Sequence, residues 1–470
     1  MQTAMAAALV LAALSCSCVP LDDPAVDRRP ADAADRPPSV LVILTDDQRW
    51  DTLRAMPEVQ ERIARHGVRF TRAYVTNPSC CPSRVSLLTG GYSHTTGVWA
   101  NAGPNGGFAS FDDAATIATR LDDVGYRTGL FGKYLNGYDP ASGYVPPGWD
   151  AWLAGAGEYY LDYRLLDATN GDGSVLTYGD DPADYSTRVL TRAARGFLSS
   201  TPADTPFFAI VAYHAPHPPA TPDPRDADAL QDVAPHRSPS FDERDVSDKP
   251  RYVRRLDRLD RDDERALDAF RLAQLRSLLA VDRGVGELLS TLRTLGRLRD
   301  TMVVFTSDNG YQWGEHRWIG KGVSYEESIR VPLVVRFDPL VADPGSHSRA
   351  FALGIDLAPT VAEVAGVPAP AVDGTSLVPL LLEPDSSLRD GFVVEHAAEA
   401  TRRPSFCALR LRRWAFVRTY VDGAVREVEL YDLTRDPFQL RNRAHDAAYA
   451  ETRGMLEAEA DVRCVPPPEG

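Results

Sequence analysis

Five apolar runs of strand length, separated by helical periodicity, constrain the fold of this chain most. Val40–Leu44 ends in Thr45-Asp46-Asp47, and Arg127–Phe131 ends in Gly132-Lys133. Phe207–Tyr213 ends in His214-Ala215-Pro216-His217, and Met302–Phe305 ends in Thr306-Ser307-Asp308-Asn309. A fifth run, Val331–Val335, has no polar cluster behind it. Continuous apolar runs suit strands buried on both faces. Between them, Ala114–Val124 and above all Ala266–Leu295 repeat Leu, Ala and Val every three or four residues, the helical period. The alternation predicts an α/β sheet covered by helices on both faces. In open sheets of this kind, sites form beyond the carboxyl ends of the strands. Four strands ending in charged or imidazole clusters could therefore converge on one site.

The chemistry of those strand ends is specific. Asp46 and Asp47, with Asp308 and Asn309, would offer three carboxylates and one amide oxygen to a hard cation such as calcium. Asp and Asn also cap helices and turns, but the recurrence of the pair at two strand ends favours a metal. Lysine occurs only at 133, 249 and 321, arginine supplying the other 48 of 51 basic residues. Where arginine is the rule, a retained lysine marks a position that wants a compact ammonium.

Outside this frame, residues 1–18 read as an export signal. Met5–Leu14 is nearly all Ala, Leu, Val and Met, too short to span a bilayer, and Cys16 or Cys18 is a candidate for lipidation. Residues 19–38 have the composition of a disordered tether. No other segment resembles a membrane span. The polar stretch 225–264 is expected to be a surface insertion bordering the cleft. A first domain is placed at 39–385. A smaller α+β domain is placed at 386–470, with strands over Ser405–Tyr420 and Val425–Leu433 and a closing helix over Thr452–Val462. Cys407 and Cys464 are expected to pair in an oxidising compartment; the adjacent Cys80 and Cys81 are not, because a bond between neighbours is strained. The net charge of −15 argues against a nucleic-acid partner, although an acidic protein can still hold a local cationic pocket.

The decisive segment is Cys80-Cys81-Pro82-Ser83-Arg84-Val85-Ser86-Leu87-Leu88-Thr89-Gly90. It resembles the type I sulfatase signature, Cys-x-Pro-Ser-Arg, four variable residues, then Thr-Gly. The resemblance runs from about Val40 to the C-terminus. It implies an alkaline phosphatase-like α/β/α sandwich and a sulfuric ester hydrolase. It also implies a formylglycine made from Cys80 by a maturation enzyme, and a calcium ion held by Asp46, Asp47, Asp308, Asn309 and the converted Cys80. By the same resemblance Lys133 and Lys321 bind sulfate, and Arg84 neutralises the sulfuryl oxygens. His217 would protonate the leaving alkoxide. The aldehyde hydrate would supply both the attacking oxygen and the spare hydroxyl that expels sulfate.

Gly132-Lys133-Tyr134-Leu135-Asn136, Pro146-Pro147-Gly148-Trp149 and the double cysteine resemble the N-acetylglucosamine-6-sulfatase branch. That implies a sulfated amino sugar facing Asn136, and an exported enzyme, either secreted or lipid-anchored. Many sulfatases carry histidine where this chain has Leu135, which leaves His94, His214 or His316 as candidates for the base that drives sulfate expulsion. A phosphate or phosphonate monoester hydrolase of the same fold, and a non-catalytic sulfoglycan-binding protein, are the rival readings.

Overall fold

The computed structural model describes residues 37–468, apart from 158, 170, 172, 369–371 and 400–402. The export signal 1–18, Cys16 and Cys18, and nearly all of the 19–38 tether lie outside the described residues.

Ten strands form one mixed sheet. In chain order they are β1 (Ser39–Thr45), β2 (Val68–Tyr74), β3 (Arg127–Lys133), β4 (Ala151–Gly155), β5 (Tyr163–Asp167), β6 (Ser174–Tyr178), β7 (Phe207–Ala212) and β8 (Thr301–Ser307). After a two-stranded ladder, β9 (Gln312–Trp313) and β10 (Ile319–Gly320), come β11 (Leu333–Arg336) and β12 (Ser346–Leu353). The spatial order is β12-β2-β11-β8-β1-β7-β3-β4-β5-β6. Strands β8, β1, β7 and β3 are adjacent and mutually parallel. They are the four runs with polar ends, so those ends emerge along one edge. The run without a polar end is β11, which lies antiparallel to β8.

The central strands are buried on both faces. Along β1, Val40, Val42 and Leu44 enter one apolar cluster while Leu41 and Ile43 enter another. Strand β7 divides the same way, Phe208 and Ile210 against Ala209 and Val211, as the two-residue period of a strand requires. The helices Ser186–Ser200 and Arg261–Thr294 cover one face through Leu190, Phe197, Leu278, Val285 and Leu289. The helices Cys80–Thr89, Ile117–Asp122 and Leu357–Ala365 cover the other through Val85, Leu121 and Val361. Each such side chain removed from water contributes about 1.5–3 kcal/mol. The long helix starts at Arg261, earlier than its apolar period indicates. Asp260 there accepts from the backbone N–H of Asp262 and Asp263, while the Asp263 carboxylate caps the Asp260 N–H.

A second, antiparallel sheet follows: β13 (Gly391–His396), β14 (Ser405–Leu411), β15 (Trp414–Val421) and β16 (Ala424–Asp432), in that order. The helix Ala450–Arg463 packs Leu456 and Ala460 against it. Cys464, just past that helix, is bonded to Cys407 in β14, the pairing expected from the sequence. The bridge spans 57 residues, and closing a loop of that length in the unfolded chain contributes about 2–4 kcal/mol. Cys464→Ser should lower the stability of the C-terminal sheet by that amount in denaturant unfolding. An unchanged midpoint would show that the helix docks without the bridge.

Candidate active site

The carboxyl ends of the four parallel strands deliver the site. Asp46 and Asp47 leave β1, Lys133 ends β3, His214 and His217 leave β7, and Asp308 and Asn309 leave β8. Cys80 opens a helix on one face of the sheet, and a helix N-terminus favours anions. Asp47 takes a left-handed backbone conformation at φ 68°, which Asp tolerates better than most residues, and the turn aims its carboxylate back over the strand ends.

Around Cys80 the charges are buried and interlocked. Asp46 Oδ1 lies 3.4 Å from Cys80 Sγ, and Asp46 Oδ2 accepts from Lys133 Nζ at 2.6 Å. Lys321 Nζ touches Asp47 Oδ1 and lies 2.6 Å from Cys80 Sγ. Arg84 donates from Nε to Asp308 Oδ2 at 2.7 Å and from Nη1 to the Lys133 carbonyl at 2.7 Å. Asn309 Nδ2 donates to Asp47 Oδ1 at 2.6 Å. His217 Nε2 stands 3.8 Å from Asp47 Oδ2, and His214 Nδ1 is 3.8 Å from Asp46 Oδ2. Because His217 Nδ1 must donate to the Pro218 carbonyl at 2.7 Å, Nε2 is the nitrogen that faces the acidic centre.

The electrostatics follow from burial. Burial by itself would raise the Asp46 carboxyl, but Lys133 and its other cationic neighbours hold it well below the usual range. Burial pushes Asp308 up to about 6, and the charge on Asp46 adds to the rise. Burial likewise pushes the Cys80 thiol up to about 12, with Asp46 again adding. A thiol that stays protonated is a poor nucleophile. Burial lowers His214 to about 4, so its ring is neutral near pH 7.

The oxygen set suits a hard cation. Ligand atoms of Asp46, Asp47, Cys80 and His217 lie within 4.8 Å of one another. Asp47 Oδ2 and Asn309 Oδ1 are buried with no hydrogen-bond partner among the described residues. Buried polar atoms normally have partners, and a divalent ion among three carboxylates and an amide would supply one.

Of the residues anticipated from the sequence, Asp46, Asp47, Cys80, Arg84, Lys133, His217, Asp308, Asn309 and Lys321 are brought together. The Asn136 backbone bonds the Cys81 thiol, and its amide Oδ1 is buried without a hydrogen-bond partner among the described residues. Of the three candidate bases, His214 adjoins Asp46. His94 is paired with Glu395, and His316 is buried against Glu243 and stacked on Tyr325.

The structure adds residues that sequence reading missed. Ser79 donates to His396 Nε2 at 3.1 Å, since His396 Nδ1 donates to the Pro404 carbonyl. Asn101 Oδ1 accepts from the Cys81 N–H at 2.8 Å, and its own N–H donates to Glu399 at 2.7 Å. Glu399 pairs with Arg403 at 2.7 Å. Strand β13 ends Phe392-Val393-Val394-Glu395-His396, the same apolar-run-then-polar pattern as the central strands, and this signal would have flagged His396.

Fold and site together are an alkaline phosphatase-like scaffold with buried acids and cations gathered at the carboxyl ends of its central strands. The sulfatase family model matches residues 38–367, and a model described as N-sulphoglucosamine sulphohydrolase, C-terminal, matches 314–463. The chain belongs to the sulfatase family. It is 34% identical over 385 residues to an extracellular sulfatase SULF-1 homolog of Drosophila melanogaster, covering 79% of this chain and 34% of that protein. It is 32% identical to the N-acetylglucosamine-6-sulfatase of Homo sapiens, covering 87% and 81%. The chain spans about a third to a half of the length of the first relatives it matches. Among solved structures, a protein in complex with its substrate D-glucosamine-2-N,6-O-disulfate superposes with a TM-score of 0.79 at 24% identity, covering 91% and 97%. The phosphonate monoester hydrolase of Agrobacterium radiobacter superposes with a TM-score of 0.72 at 24% identity, covering 90% and 95%. At these identities the two structures speak for the fold.

Gly157 shows how tightly the site is packed. It has φ 99°, and a Cβ there would meet Lys133 Cδ at 2.5 Å. Gly157→Ala should push the lysine stem off Asp46 and lower kcat/KM by about tenfold to a hundredfold, while the positive φ costs the folded state about 1–3 kcal/mol. Wild-type kinetics in this variant would show that Lys133 does not need its present position.

Proposed function

We propose that this protein is an exported sulfatase that hydrolyses sulfate esters of amino sugars of the glucosamine-6-sulfate type, using a formylglycine derived from Cys80. The observation that carries the reading is the burial of Cys80 between Asp46 and Lys321, at the head of an intact Cys-x-Pro-Ser-Arg helix. A thiol raised as far as this one would be a weak nucleophile there, whereas an aldehyde hydrate would offer an oxygen nucleophile in the same place. The maturation enzyme that converts Cys80 is the implied partner.

Asp46, Asp47, Asp308 and Asn309 would hold calcium, which favours the ionised form of the attacking oxygen. Lys133, Lys321 and Arg84 then face the sulfuryl oxygens, where fixed cations in a dry site stabilise developing charge far more than water does. Burial lowers His217, so its imidazolium form is disfavoured at rest; once protonated, its Nε2 would deliver that proton to the departing sugar oxygen. His214, beside Asp46, is the histidine placed to take up a proton during sulfate expulsion where Leu135 cannot. Asn136, whose amide oxygen lacks a partner, is assigned to the sugar. The name of the human relative supports the amino-sugar class. The name of the Drosophila relative supports an extracellular site of action, and among the described residues no helix is long and apolar enough to cross a membrane.

The fold is shared with a phosphonate monoester hydrolase, so the leaving anion is the point to test. After expression with a maturation enzyme, mass spectrometry should find an aldehyde at position 80. Turnover of a sulfate ester should exceed that of the matching phosphate and phosphonate esters, and Cys80→Ala should remove it. Faster phosphate or phosphonate turnover would overturn the assignment, and an unmodified, inactive thiol would favour a sulfoglycan-binding role. Chelation should abolish turnover and calcium should restore it. Calcium should also raise the melting temperature, since a ligand that binds only the folded state stabilises it.

A further inference from the structure

We infer that the substrate is a polyanionic saccharide chain whose further sulfate or carboxylate groups occupy an arginine-lined groove running from Lys321 onto the C-terminal sheet; this rests on the sulfatase reading above. A cavity of about 320 Å³ is lined by Leu256, Arg317, Trp318, Lys321 and Arg403. A second, of about 770 Å³, is lined by Arg251, Tyr252, Arg255, Arg403 and Arg426, with Asp422 and Glu427. The two share Arg403, and Leu256 of the first directly follows Arg255 of the second. The two therefore adjoin at Arg403, and the smaller is lined by Lys321, which contacts Cys80. The larger part falls in the roughly 300–1,000 Å³ range of small-molecule sites, far more room than one sulfate needs.

Its charge is unlike that of the rest of the chain. Six cationic side chains, at 251, 255, 317, 321, 403 and 426, line the two cavities, against the carboxylates of Asp422 and Glu427. The whole protein carries −15. Glu427 is already committed, accepting from the Arg251 N–H at 2.8 Å and from Arg254 at 3.0 Å. Arg317 donates to the carbonyls of Glu243, Arg244 and Leu256, so its charge meets no carboxylate there. The guanidinium groups of Arg251, Arg255 and Arg426 have no ion-pair partner among the described residues. The two-pronged N–H face of such an uncommitted guanidinium pairs with two oxygens of a sulfate or a carboxylate.

Arg403 is the hinge of the groove. Its side chain lies across Gly322, where a Cβ would meet Arg403 Cδ at 2.5 Å, and it is held by Glu399, which also binds the Asn101 backbone beside Cys81. The same side chain lines both cavities, next to the loop that carries Lys321.

The test compares the matured wild-type enzyme with the Arg251→Ala/Arg255→Ala/Arg426→Ala variant. The two substrates are a small aryl sulfate and a heparin-derived tetrasaccharide. The ratio of kcat/KM for the tetrasaccharide to that for the aryl sulfate should fall about tenfold or more, mainly through KM. Tetrasaccharide binding to a Cys80→Ala background should weaken by a similar factor and become less dependent on salt, because each lost phosphate-like or sulfate contact reduces counterion release. An unchanged ratio with unchanged binding would overturn the groove, as would equal binding of a desulfated tetrasaccharide. If the wild-type enzyme released sulfate from neither substrate, the sulfatase reading would fall, while the binding measurement would still decide the groove.

Discussion

Everything in the site depends on one buried electrostatic balance. Asp46, Asp47 and Asp308 lie out of water beside Lys133, Lys321 and Arg84. A buried charge with no partner costs several kcal/mol, so neither set could be kept without the other. The balance is incomplete in detail: Asp308 is pushed up to about 6, and Asp47 Oδ2 and Asn309 Oδ1 have no hydrogen-bond partner among the described residues. A divalent cation would close that gap from the acidic side, and the sulfuryl group of a substrate would draw on the cations. On the proposed reading, the same buried charges would hold both an ion and an anion at one point.

The C-terminal sheet belongs to this centre as much as the large sheet does. The Glu395 backbone N–H bonds the Thr76 carbonyl, His396 accepts from Ser79, and Glu399 holds the Asn101 that caps the helix of Cys80. The contacts fall on the residues just before and after Cys80. Buried hydrogen bonds of this kind fix a rotamer that loops alone would leave free. Arg403, which Glu399 holds, lines the two arginine-rich cavities.

Much of this was legible beforehand for a simple reason. The central strands are buried on both faces, so they read as unbroken apolar runs, and their polar ends stand out against them. Of the strands that were missed, β2, β4, β5, β6 and β12 are short or partly exposed, β6 at Ser174 and Val175, whereas β13 is buried and its apolar run was readable. The patterns of the first five do not rise above those of loops. The long helix Arg261–Thr294 was found from its period, but its start was set by the Asp260 cap, a local hydrogen-bond feature invisible to periodicity.

Sequence alone determined the identity of the chemical groups: the signature around Cys80, the paired acids at two strand ends, and two of the three lysines, all fixed by residue type and short-range spacing. Tertiary structure alone decided which histidine adjoins Asp46, which residues brace Cys80 from the second sheet, and that scattered arginines at 251, 255, 403 and 426 share one groove. Those relations join residues tens to hundreds of positions apart, and only the packing of one sheet on another sets such distances.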